Sequence, residues 1–204
     1  WKLLARDSWL ISQSLMQILY LVPPAFMLWN GFGDLTAPTS IVVPVLVMAA
    51  GQLAGGLAWL AISGEDAPER VATAPGSPTV ILRAKVEAVL AIILVVTLPL
   101  AGAIFLLEPM AGFAAIAGIA GAAIAATLIQ LWFRAQARRS NFRRRHTSSR
   151  LATFSEAFSS IGWAGGAGLA AAGSQWAIAP ILTSIAILAA VRCLRPDATG
   201  QFAA

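Results

Sequence analysis

The chain has 204 residues, of which 58% are hydrophobic and 11% charged. A soluble domain carries about 25% charge, so too little polar surface is left to cover a water-exposed globule, which excludes a soluble enzyme, a disordered tail and a disulfide-stapled secreted domain. A polytopic membrane protein remains, and there the position of the 14 Lys+Arg and 9 Asp+Glu matters more than their net +5.

Six apolar stretches follow in chain order, at residues 9–30, 41–63, 86–107, 112–133, 154–173 and 176–194. Each matches the roughly 20 residues that one helical crossing requires. The predicted fold is therefore all-α. The fifth stretch is the least apolar, carrying Ser155, Glu156, Ser159 and Ser160 among Ala and Gly. Such a helix gains little from facing lipid and is expected to pack against other helices. Residue 1 is Trp, so the sequence is expected to be the C-terminal part of a longer protein. Arg outnumbers Lys 12 to 2 in an Ala- and Gly-rich chain, which points to a GC-rich bacterial genome.

The charges predict the orientation. With residue 1 in the cytoplasm, the segments 31–40, 108–111 and 174–175 lie outside and contain Asp34 and Glu108 but no Lys or Arg. All 14 basic residues then lie inside, as does the C-terminus. Removing the fifth span would move Arg192 and Arg195 outside and break this pattern. Trp9, Trp29, Trp59, Trp132 and Trp176 fall at or near span ends, as interfacial anchors do.

Pro23 and Pro24 interrupt the first span and Pro99 the third. Each removes a backbone donor, and each reads either as a packing kink or as a hinge. Gly51 with Gly55, and Gly162 with Gly166, have the small-xxx-small spacing that places small residues on one helix face and lets backbones approach. Internal packing is the expected use. Gln13, Gln17, Gln52, Gln130 and Asn30 are expected to face the bundle interior and bond between helices. Glu87 and Glu156 sit near the cytoplasmic ends of their spans, so no proton relay through mid-membrane carboxylates is expected.

Residues 64–85 join the second span to the third. Asp66 can N-cap a short helix, with Pro68 in its first turn and Glu69 at the capping-box position. That helix carries Arg70 and must stop before Pro75. Ser77-Pro78 then starts a second helix, which meets no break before Pro99 and extends to Leu107. It is about 45 Å long, so it should project two to three turns into the cytoplasm. The segment reads either as a link passing a push from the cytoplasmic face into the membrane or as a well-capped loop.

In this stretch the chain resembles the permeases of ATP-binding-cassette exporters of the type-2 class. The residues that carry the resemblance are Glu65 soon after the second span, Ala74 before the Pro75-Gly76-Ser77 turn, and Lys85 opening the third span. Residues 1–8, ending in Arg6-Asp7-Ser8, resemble the amphipathic elbow helix that precedes the first span in that family. Ser8 in place of proline and Gly76 in place of an apolar residue depart from its pattern. The resemblance implies a six-span half of a permease in a bacterial inner membrane. It also implies a second six-span half, either a preceding part of the same protein or another copy. A cytoplasmic ATP-binding subunit would dock on the loop through Glu65, Asp66, Pro68, Glu69, Arg70, Pro75, Ser77 and Lys85. ATP and Mg would belong to that partner and no cofactor to this chain, which has no P-loop.

Residues 134–150 contain seven arginines and His146 but no acid. Their place between two spans makes anionic lipid head groups, rather than nucleic acid, the expected partner of Arg138, Arg139, Arg143, Arg144 and Arg145. Topological anchoring alone would also account for them. One cysteine, Cys193, and one histidine, His146, allow no cysteine or histidine metal cluster and no histidine triad. No catalytic or metal-binding residue is therefore expected. The alternatives to a permease are an integral membrane enzyme acting on lipids, for which Glu65-Asp66-Glu69 is the acidic cluster available, and a non-catalytic assembly factor.

Overall fold

A computed structural model describes residues 39–63, 78–133 and 150–194. The first predicted span and the elbow lie outside these residues. The described part is all-helical, with five α-helices and no strand among the described residues. They are α1 (Thr39–Ser63), α2 (Pro78–Leu107), α3 (Pro109–Trp132), α4 (Arg150–Ala171) and α5 (Ile178–Cys193). A 3-10 turn, Gln175–Ala177, leads into α5.

Local chemistry sets the helix boundaries. Proline at the first position of α2 and of α3 supplies a helical φ and lacks an N–H that would have no partner there. Glu108 is the N-cap residue of α3, and its carbonyl accepts from Gly112 N at 2.9 Å. At the end of α4, Gly173 adopts a φ of 70°. Gly173 N donates to Ala170 O at 3.0 Å and Ser174 N to Leu169 O at 2.9 Å. This pair of bonds closes a Schellman cap. Ser174 then caps the following turn, with its hydroxyl accepting from Trp176 N.

The core is a triangle of α1, α3 and α4, with α2 laid against α1 and α3 and α5 against α4. The sides that meet are built of small residues. Ala50, Ala54, Ala115, Ala122, Ala126 and Ala167 are all buried. A Cβ on Gly118 would come within 2.7 Å of both Val47 and Ala167, so glycine is what lets the three backbones meet. Large apolar groups point outward instead, among them Leu94, Val95 and Leu98 of α2, Phe154, Phe158 and Ile161 of α4, and Ile178, Leu182 and Ile185 of α5. In water such an arrangement would be unstable, whereas a lipid solvent favours it.

Among the described residues, four helices are long and apolar enough to cross a membrane: Ile41–Ala61, Val80–Leu107, Pro109–Trp132 and Gln175–Cys193. They are consistent with a multi-pass membrane protein. Helix α4 has the length but a more polar composition, and Glu156, Ser159 and Ser160 face inward.

Helix directions alternate. Pro44 meets Gly168 and Gly55 meets Glu156, so α1 and α4 are antiparallel. Phe105 and Phe113 stack edge-to-face at 5.0 Å and close the α2–α3 hairpin. Ile129, Ala152 and Val191 gather at the opposite end. The start of α1, the α2–α3 turn and the α4–α5 turn therefore share one end, which holds Glu108. The other end holds Arg83, Lys85 and Arg192 and the first residue of α4. Glu87 and Glu156 also lie toward that end, so among the described residues it is the basic side chains, not all charges, that gather at one end.

Candidate functional site

The buried polar groups concentrate where α1, α3 and α4 meet. Glu156 of α4 is buried, and Gln130 of α3, also buried, donates from Nε2 to its Oε2 at 2.6 Å. On the other side lies α1. A Cβ on Gly55 would overlap the Glu156 carboxyl group, so that group lies directly against the α1 backbone. One turn further along both helices the relation repeats: a Cβ on Gly51 would come within 2.5 Å of Ser160 Oγ. The i, i+4 spacing of Gly51 and Gly55 thus faces the i, i+4 spacing of Glu156 and Ser160 across an antiparallel groove. No cation among the described residues forms an ion pair with Glu156.

Three further buried polar atoms, Ser159 Oγ, Ser160 Oγ and Trp163 Nε1, make no hydrogen bond among the described residues. Native proteins leave few such groups. By contrast, Thr97 and Thr127 satisfy their hydroxyls within their own helices, on Ile93 O at 2.8 Å and Ala123 O at 2.7 Å. On its other flank α4 meets α5 through Gly162 and Gly166. A Cβ on Gly162 would strike Ser184 Oγ, and one on Gly166 would come within 2.5 Å of Ile181. Ser184 Oγ lies 3.2 Å from Ser159 O and 3.0 Å from Pro180 O and shares its proton between them.

All four glycines of the two small-xxx-small motifs therefore stand at helix contacts. Pro99 is exposed within an unbroken α2. Lys85 is half-buried near the start of that helix, beside Arg83 and Glu87, which form an exposed ion pair at 2.7 Å. Glu65, Asp66, Pro68, Glu69, Arg70, Pro75 and Ser77 lie outside the described residues, as do Pro23, Pro24 and Arg138, Arg139, Arg143, Arg144 and Arg145. Gln130 faces the bundle interior as expected, whereas Gln52 is exposed on α1.

The sequence reading did not single out Glu156. It placed this carboxylate near a span end and gave it no role. Its spacing from Ser160, together with the glycine pair on α1, is the signal that marks it. No group of three or more His, Cys, Asp or Glu side chains able to hold a metal ion is found among the described residues. What the junction offers is one carboxyl group, an amide and hydroxyls in an otherwise apolar interior. Such a set can bind a polar or cationic group. No protein-family model matches the chain, and no curated protein or solved structure matches it.

Proposed function

We propose that the chain is the membrane-spanning half of an exporter driven by a separate ATPase, seated in a bacterial inner membrane with its basic end in the cytoplasm. Helix α2 is the observation that carries this reading. It runs for 30 residues without a break, from Pro78 to Leu107. At 1.5 Å per residue it is about 45 Å long, against a hydrocarbon core of about 30 Å. Its first turns, with Arg83, Lys85 and Glu87, therefore extend past the apolar core at the end where Arg192 also lies. The acidic, proline-bounded segment 64–77 feeds straight into this helix. A force applied to that segment acts on one continuous rod that reaches the far side of the membrane.

In this reading α4 and the predicted span at 9–30 complete six crossings, and a second six-span half completes the permease. The arginines of 134–150 hold anionic lipid head groups. ATP and Mg are bound by the partner subunit. Co-purification tests the proposal: the chain is expected to retain a cytoplasmic ATP-binding subunit, and Glu65→Lys or Pro75→Ala to lose that subunit together with transport. Full association and full transport in both variants would overturn it.

A further inference from the structure

We infer that the junction of α1, α3 and α4 is a binding site for an ammonium group, with Glu156 as its counter-charge. An ionisable side chain inside a membrane bundle is costly to keep and commonly marks a ligand or ion path. Glu156 is 7% exposed, and among the described residues its partner is the neutral amide of Gln130. That amide occupies Oε2 and supplies no positive charge.

The surroundings of Glu156 suit a small cation with N–H donors. Ser160, one turn away on the same groove, is 1% exposed, and its Oγ has no partner among the described residues. A hydroxyl oxygen can accept from an ammonium N–H as a carboxylate does. The groove floor beneath both groups is glycine backbone, at Gly51 and Gly55, so no side chain of α1 competes for them. The aromatic ring of Trp163 lies on α4 one turn beyond Ser160 and packs over Gly121 of α3. The groove is closed here, and a ligand enters by parting α4 from α1. The proposal rests on the permease reading only in taking the ligand for cargo.

The test uses the full chain in nanodiscs of zwitterionic phosphatidylcholine, without an ATPase. n-Butylammonium chloride is titrated while tryptophan fluorescence and the thermal midpoint are followed. Tetramethylammonium chloride and sodium chloride serve as controls for N–H donation and ionic strength. Saturable changes are expected with butylammonium alone. Glu156→Gln should raise the half-saturating concentration about tenfold or more, and Ser160→Ala, which keeps the charge, about threefold. Trp163→Phe should remove the fluorescence change and keep the thermal shift. An unaltered response in folded Glu156→Gln, or in Ser160→Ala should the first variant not fold, would overturn the proposal. So would equal responses to tetramethylammonium or sodium. Because the ATPase is absent, failure of ammonium binding and failure of ATPase association are separate results.

Discussion

The Thr39 hydroxyl donates to Glu108 Oε2 at 2.5 Å, across 69 positions of sequence. It ties the first residue of α1 to the turn between α2 and α3. Glu108 makes no cap bond to its own helix, so its side chain serves this contact instead. Two ends that the loop charges predict on the same side of the membrane are thus in contact. A bond to a charged group is worth about 1.5–3 kcal/mol when well shielded. This one is only partly buried, so about 1 kcal/mol is the expected cost of Thr39→Val. Unfolding in detergent would measure that cost, and hydrogen exchange should accelerate over the first turn of α1 while α4 is unchanged.

Gly55 and Glu156 supply a second prediction. A methyl group at Gly55 overlaps the Glu156 carboxyl group. Overpacking of this kind costs about 2 kcal/mol. Glu156→Ala removes the obstacle, so Gly55→Ala should cost less in that background. A double-mutant cycle should give a coupling of about 1 kcal/mol or more. Additive effects would mean that the two residues do not touch.

The ends of α2 were legible because local signals set them: Pro78 starts the helix and the apolar run stops at Leu107. The starts of α3 and α4 were not: α3 begins at Pro109 and α4 at Arg150, ahead of the apolar stretches expected from 112 and 154, because a helix can begin outside its apolar run. The inward packing of α4 was legible from its serines and glycines. The pairing of Gln130 with Glu156 was not. It joins two helices across the arginine-rich loop and depends on how each is rotated about its axis, which no single-helix pattern reveals. Gln52 makes the same point. Its neighbour Gly51 faces α4, and one residue turns a helix by about 100°, so Gln52 is carried to the outer face. A polar residue within an apolar run does not by itself identify the side that faces inward.

Cys193 gives a test of orientation that needs no added label site. It is exposed at the end of α5, beside Arg192. With the basic end in the cytoplasm, a membrane-impermeant maleimide should leave it unmodified in intact cells and label it in inverted vesicles. Gln175, exposed at the opposite end of the same hairpin, should report the reverse. In a Cys193→Ser background, Gln175→Cys is expected to label only from outside. Labelling of both positions from one side would contradict a crossing by α5.

Pro99 separates the hinge from the packing kink. It has no N–H to give to the Val95 carbonyl, and its ring crowds the preceding turn. Two residues earlier, Thr97 Oγ1 donates to Ile93 O at 2.8 Å, a back-bond that also favours bending. Both influences act near the middle of the helix proposed to carry force from the cytoplasmic segment. Pro99 is exposed, so Pro99→Ala removes little packing and restores one backbone bond. The variant should be more stable by about 1–3 kcal/mol. If α2 bends there during transport, the straightened helix should export more slowly even though it unfolds less readily. Stability measured by thermal unfolding and export measured in vesicles would therefore move in opposite directions. A variant that is more stable and exports at the parent rate would make Pro99 a packing kink and leave α2 a rigid rod.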